Sequence, residues 1–206
     1  MKKVKKALVL IVTLILALTS VTVVAFADVD YSQWNTNSAY PSDVSSSSSL
    51  FPAVKFVIDK KVMNGYPDHT FKPDGCITRA EIAVAVTKMI NRTGELTTME
   101  SKETFSDLAG YSWAKGYINI MANEGIIKGT STTTYAPGKN ITYAELITIL
   151  IRTKSGAASE LDGAGNWPNN YILYAQTYNL LGDIVITDWN APATRGDVAK
   201  LIYRMM

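Results

Sequence analysis

Apolar residues recur at helical spacing in two kinds of segment along this chain. The clearest pattern follows Thr78, Thr142 and Thr194, where apolar positions three and four residues apart form a stripe on one predicted helix face. The stripes are Ile82, Ala85, Val86 and Met89; Leu146, Ile149 and Leu150; and Val198, Leu201, Ile202 and Met205. A shorter helix is predicted ahead of each, at about 51–60, 113–124 and 168–178. The pattern therefore predicts an all-α fold.

Polar residues mark where these helices begin and end. Each striped helix opens with a hydroxyl residue followed three positions later by a carboxylate: Thr78 with Glu81, Thr142 with Glu145, and Thr194 with Asp197. This spacing predicts a capping box, in which each side chain accepts a hydrogen bond from the other residue's backbone N–H. Gly125 and Asn179 stand where the shorter helices need a left-handed residue, whereas Lys61 in that place predicts a weaker cap.

The chain contains an internal repeat. The segment from Asp43 to Glu81 recurs 64 residues later, from Asp107 to Glu145, without an insertion. A looser third copy places Trp113 on Trp167 and, after a two-residue deletion, Thr142 on Thr194. Such a repeat is one supersecondary unit that cannot bury its apolar face alone. We therefore expect the three striped helices to pack together about a pseudo-threefold axis, from repeats at 41–92, 105–154 and 160–206.

The first residues resemble a secretory signal. Four lysines precede an apolar run from Ala7 to Leu18, and the segment closes on Ala25-Phe26-Ala27. This pattern predicts a signal peptide at 1–27 with cleavage before Asp28 and a secreted protein. The alternative is a retained membrane anchor, since the apolar stretch could be counted long enough to span a bilayer. The composition predicts a flexible spacer at residues 28–40 and a flexible serine run at 45–49.

Charge and cysteine content narrow the function classes. Without residues 1–27 the chain keeps 16 basic and 18 acidic residues and no basic block, which argues against nucleic-acid binding. The single Cys76 and single His69 exclude a Cys/His zinc site. We predict no metal and no cofactor. Cys76 is a reactive thiol, an intermolecular bridge or, as we favour, a half-buried inert thiol.

The repeat resembles the S-layer homology repeat. The segment from Asn64-Gly65-Tyr66-Pro67-Asp68 to Phe71-Lys72-Pro73, followed by Ile77-Thr78-Arg79-Ala80-Glu81, is similar to the two signatures of that family. The resemblance covers about residues 41–206 in three copies. It implies an all-α pseudo-trimer around a central three-helix bundle. It also implies a monomeric, non-enzymatic module that binds secondary cell-wall polysaccharide, acidic and pyruvylated, in grooves between repeats.

The resemblance also implies a set of groove residues. By position they are Arg79 and Arg195, Trp113 and Trp167, Asp43 and Asp107, and Gly65 and Gly129, with Asp162 one residue out of register. An arginine binds an acidic sugar in bidentate form, and an indole offers a flat face to a sugar ring. Free N–H groups at the helix start would add to the attraction. We expect the N1 arginines to face solvent or ligand, with Arg79 paired to Trp113.

Structural alternatives exist for most of these residues. The capping Thr and Glu side chains are expected to have no ligand role, Trp113 and Trp167 could be core, and the two aspartates could be turn residues. Tyr143, Ser49 and Asp183 replace the family's Arg, Trp and Gly, so the three grooves cannot be equivalent.

Two other functions compete with wall binding. One is an exported enzyme acting on wall polymer, and the other is a self-assembling surface-layer component. The carboxylates recur at cap and turn positions, which suits structure better than a catalytic pair. A protein partner could bind the Tyr- and Trp-bearing N-terminal segment.

Overall fold

The computed structural model describes residues 40–154 and 156–206, and within these the chain is helical and contains no β-strand. The predicted signal peptide, and all of the predicted spacer 28–40 except Tyr40, lie outside the described residues. The eight α-helices of this part are α1 Phe51–Asp59, α2 Arg79–Met89, α3 Leu96–Met99, α4 Ser112–Asn123, α5 Tyr143–Arg152, α6 Ala157–Ala164, α7 Asn169–Thr177 and α8 Arg195–Met205. The prediction of an all-α fold is therefore confirmed. The short helices α3 and α6 were not predicted.

Local hydrogen bonds at the striped helices follow the sequence. Thr78 with Glu81 and Thr142 with Glu145 form complete capping boxes at the starts of α2 and α5. At α8 only half of the box forms: Thr194 Oγ1 accepts from the Asp197 N–H at 3.2 Å, but Asp197 does not return the bond. Its shorter carboxylate instead accepts from the Tyr143 hydroxyl. The prediction of a third complete capping box is wrong for this reason.

The shorter helices end as predicted. Lys61, Gly125 and Asn179, which follow α1, α4 and α7, have φ values of +56°, +69° and +49°. A lysine in this left-handed conformation is less favourable than glycine, which keeps the expectation of a weaker cap after α1.

Each shorter helix packs against a striped helix of a different segment. Helix α4 packs on α2, α7 on α5, and α1 on α8. The first two pairs join neighbouring segments, and the third joins the first segment to the last. Buried residues of all three segments form one hydrophobic cluster, with Val54, Ile118, Leu146, Tyr171 and Leu201 almost fully covered. The three segments therefore share a single core.

Backbone hydrogen bonds repeat the same cyclic order. The first two N–H groups of α2, α5 and α8 each donate to carbonyls of a loop in another segment. The bonds are Arg79 N to Lys139 O and Ala80 N to Pro137 O; Tyr143 N to Ala191 O and Ala144 N to Trp189 O; and Arg195 N to Gly75 O and Gly196 N to Pro73 O, all between 2.8 and 3.1 Å. With the third N–H held by the capping threonine, the expectation of free N–H groups for an anionic ligand is wrong.

Three further findings concern possible sites. Cys76 is free and exposed, so the expectation of a half-buried thiol is wrong. Among the described residues no helix is long and apolar enough to cross a membrane. A search of the same residues finds no group of His, Cys, Asp and Glu arranged to hold a metal ion.

Candidate groove sites

Two cavities lie where segments meet. The Trp167 cavity, about 220 Å³, is lined by Arg79, Ile127, Lys128, Gly129, Thr130, Glu145, Thr148, Ile149, Arg152 and Trp167. The Trp113 cavity, about 190 Å³, is lined by Val62, Met63, Asn64, Gly65, Tyr66, Ile77, Glu81, Val84, Ala85, Lys88, Trp113 and Arg195. Each therefore combines an indole, an arginine, a turn glycine and a capping glutamate.

The cavities combine the predicted residues in an unexpected way. Arg79 lies with Trp167 and Gly129, whereas Trp113 lies with Arg195 and Gly65. The expected pairing of Arg79 with Trp113 is wrong. The reason is the cyclic packing, which places the start of each striped helix against the turn of another segment.

Both indoles are open to solvent. Trp113 is 53% exposed and Trp167 is 54% exposed, so the alternative that they are core residues is wrong. The Trp167 Nε1 group donates to Thr148 Oγ1 at 2.9 Å, which fixes the ring at the cavity wall. Each cavity therefore has an aromatic face available to a ligand.

Both arginines are buried, contrary to the expectation that they face solvent. Arg79 is 5% exposed, and it donates from Nε to Tyr135 O at 2.9 Å and from Nη2 to Lys128 O at 3.1 Å. Its Nη1 lies 3.2 Å from Glu145 Oε1. The guanidinium therefore joins the loop of the second segment to α2, and much of its hydrogen-bonding capacity is used within the protein.

Arg195 occupies the corresponding place in the Trp113 cavity. It is 5% exposed and donates from Nε to Phe71 O and from Nη2 to Asn64 O, both at 2.8 Å. The guanidinium carbon lies 4.7 Å from the centre of the Tyr66 ring and 4.8 Å from that of Phe71. The last segment is thus joined to the turn of the first.

Asp43 and Asp107 are not among the residues that line the two cavities. Asp43 accepts the N–H groups of Phe71 and Lys72, both at 2.7 Å, and Asp107 accepts those of Tyr135 and Ala136 at 2.9 and 2.7 Å. Both carboxylate oxygens are engaged in each case. This geometry favours the turn-residue alternative, in which the aspartates shape the loops that the arginines then hold.

Three cationic residues that line the cavities were not predicted, namely Lys128 in the turn of the second segment and Lys88 and Arg152 near helix ends. Lys88 and Arg152 occupy the same place in α2 and α5, nine residues after Arg79 and Tyr143. Arg152 donates to Asp162 at 2.6 Å, and Tyr171 donates to the same carboxylate at 2.8 Å. Burial acts to raise the pKa of Asp162, but these two hydrogen bonds outweigh it and hold that pKa below its ordinary value. A basic residue is common in the last turn of a helix, so the sequence did not indicate that Lys88 and Arg152 line a site.

At the third corresponding place the side chains pair with one another. Tyr143 stands in place of the arginine, and its hydroxyl donates to Asp197. Asp183 stands in place of the turn glycine and accepts from Lys200 and Arg204, both at 2.7 Å. The hydrogen bond from Lys200, with that from Arg204, lowers the pKa of Asp183 to about 2. This arrangement fits the expectation that the grooves are not equivalent.

The turn glycine Gly129 admits no side chain. A Cβ there would overlap the carbonyl oxygens of Ser131 and Thr134 and lie 2.7 Å from the Phe105 ring. We expect Gly129→Ala to lower the free energy of unfolding by about 2 kcal/mol, as overpacking typically does. Gly94→Ala is the matched control, because nothing lies within 4 Å of a Cβ at that position. Urea unfolding measures the free energy of unfolding of both variants. Equal values would show that a Cβ at position 129 does not clash with the turn.

Comparison with known proteins gives one family. Residues 42–83 and 104–147 match the model of the S-layer homology domain. The chain is 31% identical over 138 residues to the Middle cell wall protein of Brevibacillus brevis, an alignment that covers 67% of this chain and 13% of that protein. It is 35% identical over 102 residues to the Cellulosome-anchoring protein of Acetivibrio thermocellus, covering 49% and 23%. It is also 28% identical over 161 residues to an Endoglucanase of a Bacillus species, covering 78% and 16%. The chain thus spans less than a quarter of the length of each of these relatives.

Proposed function

We propose that this chain, in which residues 42–83 and 104–147 are S-layer homology domains, attaches non-covalently to the bacterial cell wall. The observation that carries the proposal is the pair of cavities, each with an exposed indole beside a fixed cationic group. A sugar ring packs its C–H face on an indole, while charged and backbone groups fix its polar substituents. The names of the relatives, which include a cell wall protein and an anchoring protein, support the same conclusion.

We infer that the third segment, 160–206, is a third repeat and that the three repeats form a pseudo-threefold domain. Support comes from the Thr194 cap, from the α7–α5 and α1–α8 packing, and from the cyclic hydrogen bonds. The shared core suits a protein that acts as a monomer, because the apolar stripes of the repeats already cover one another.

The proposed ligand is a secondary cell-wall polysaccharide that carries acidic groups, and the proposed location is the cell surface after export. In this role Trp113 and Trp167 contact sugar rings, and Gly65 and Gly129 allow the tight turns that form one wall of each cavity. Arg79 and Arg195 hold the cavity walls together, and Arg195, which has no described carboxylate within 4 Å, also adds positive charge. Asp43 and Asp107 act from outside the cavities by shaping the loops.

A binding role fits the cavities better than an enzymatic one. Each cavity is lined by one carboxylate, Glu145 or Glu81, and both belong to capping boxes. Hydrolysis of a glycosidic bond uses two carboxyl groups on either side of that bond. The alignment with the Endoglucanase covers 16% of that protein, which fits a shared wall-binding part.

Co-sedimentation with purified walls tests the proposal. We expect residues 28–206 to sediment with walls that retain their secondary polymer and to stay in solution after acid extraction of that polymer. Walls that bind equally well after extraction would point to peptidoglycan as the ligand. A protein that binds neither preparation would refute wall attachment.

Removing either indole should weaken polymer binding without unfolding the protein. Each ring is about half exposed, so Trp113→Ala and Trp167→Ala remove a ligand face more than core packing. A stacked ring contributes roughly 0.5–1.5 kcal/mol, which corresponds to roughly a 2- to 10-fold loss of affinity. Leu173→Ala is the control, because Leu173 is 63% exposed and lines neither cavity. Calorimetric titration with isolated polymer, alongside thermal melts, gives the answer, and unchanged affinity in both Trp variants would exclude these cavities.

A further inference from the structure

The two cavities differ in whether their cations are already paired. In the Trp167 cavity all three cations have a carboxylate within 4 Å: Arg79 has Glu145 at 3.2 Å, Arg152 has Asp162 at 2.6 Å and Lys128 has Asp162 at 3.6 Å. In the Trp113 cavity neither Arg195 nor Lys88 has a described carboxylate oxygen within that distance. The Trp113 cavity therefore keeps its positive charge available.

At the third corresponding place, in the last segment, a carboxylate of the protein itself binds the cations. Arg204 occupies the position in α8 that Lys88 occupies in α2, and Asp183 occupies the turn position of Gly65. There the Asp183 carboxylate accepts from Arg204 at 2.7 Å, and the guanidinium lies where a Cβ on Gly182 would be. The carboxylate of Asp183, in the turn, is thus bound by Arg204 in the last turn of α8.

The same place beside Lys88 lacks such a carboxylate. The turn residue of this segment is Gly65, which carries no carboxylate, and no described hydrogen bond or ion pair involves the Lys88 side chain. Lys88 is only partly buried, so its ammonium can reach a ligand in the cavity. Arg195 stands behind it with two of its nitrogens bound to carbonyls, which fixes its charge in position.

We propose that the Trp113 cavity is the acidic-sugar site of this protein and that Lys88 contacts the carboxylate of the bound sugar. This inference rests on the proposed wall attachment. Trp113 faces the sugar ring, and Arg195 is a positioning residue that adds charge without giving up its carbonyl partners. The Trp167 cavity, whose cations are neutralised by Glu145 and Asp162, takes an uncharged sugar.

The test combines a change in the protein with a change in the ligand. Lys88→Gln and the control Lys139→Gln each remove one positive charge, but Lys139 is exposed and lines neither cavity. The probe is the isolated wall polysaccharide, used unmodified and after carbodiimide coupling to methylamine, which neutralises carboxylates and leaves phosphodiesters charged. Affinity is measured by titration calorimetry, and thermal melts confirm that each variant is folded.

We expect Lys88→Gln to bind the unmodified polymer at least 10-fold more weakly than the parent, and Lys139→Gln to stay within about 3-fold. Lys88→Arg should restore most of the affinity, since it restores the charge. On amidated polymer the parent should weaken to the level of Lys88→Gln, and Lys88→Gln should lose nothing more.

Three results would overturn the proposal. Lys88→Gln could bind unmodified polymer as tightly as the Lys139→Gln control does. Alternatively, amidation of the polymer could lower the affinity of Lys88→Gln by the same factor as that of the parent. The parent could also bind amidated polymer undiminished, which would point to a phosphodiester or a neutral ligand. In each of these cases the parent still binds unmodified polymer, so the proposed wall attachment is not contradicted. Failure of the parent to bind unmodified polymer would instead overturn the proposed function.

Discussion

A fragment of residues 28–154 should fail to reach the native helical structure. The cut removes α6, α7 and α8, and with them the packing partners of both α1 and α5. It also removes Arg195, whose bonds hold the turn of the first segment. Because all three segments share one core, the fragment exposes the stripe of α5 and one face of α1. We expect its helix content per residue, measured by far-ultraviolet circular dichroism, to fall well below that of the whole protein.

The matched control is a mixture of two fragments that together contain every described helix but have the chain broken after residue 154. Fragments 28–154 and 155–206, purified separately and mixed, restore the contacts that the single fragment lacks. We expect helix content to rise on mixing, beyond the sum of the separate spectra. Native helix content in fragment 28–154 alone would show that the first two segments fold independently, and the shared-core interpretation would then be wrong.

Arg195→Ala should destabilise the whole protein strongly. The substitution leaves the carbonyls of Phe71 and Asn64 without their donor, at a side chain that is 5% exposed. A hydrogen bond to a charged group contributes about 1.5–3 kcal/mol, so losing both should lower the free energy of unfolding by roughly 3–5 kcal/mol. The bonds connect residues more than 120 positions apart, which makes them long-range ties between α8 and the first segment. Equilibrium unfolding in urea measures the loss.

Arg92→Ala provides the control for this substitution. Arg92 likewise has two side-chain partners, the carboxylates of Glu95 and Glu124, but its side chain is 39% exposed. Such pairs contribute little in water, so we expect a loss below about 1 kcal/mol. If Arg195→Ala were as stable as Arg92→Ala while wall binding disappeared, the guanidinium would serve the ligand and not the fold.

The expected instability changes how binding data on the arginines must be interpreted. If Arg79 and Arg195 faced solvent or ligand, as expected from the sequence, alanine at either position would affect binding and hardly affect stability. Their burial reverses that expectation, because both side chains bridge segments of the protein. Lys88, which lacks a described partner, is a cleaner probe of charge in the Trp113 cavity.

Local sequence determined the helices and their ends. A hydroxyl and a carboxylate three residues apart close a capping box through bonds that span one helical turn, so Thr78 and Glu81 could be recognised without any tertiary information. The left-handed residues Gly125 and Asn179 were readable for the same reason, since their conformation is an intrinsic preference. The 64-residue recurrence likewise indicated a shared core before any contact was known.

Only the tertiary structure decided which groups meet in the cavities. The order in which helices pack, α4 on α2, α7 on α5 and α1 on α8, brings Arg79 to Trp167 and Arg195 to Trp113. Neither pairing follows from the spacing of residues along the chain. The availability of Lys88 depends in the same way on which carboxylates lie within a few ångströms. The electrostatic interaction falls with distance in space, and one chain segment cannot specify how far away another will lie.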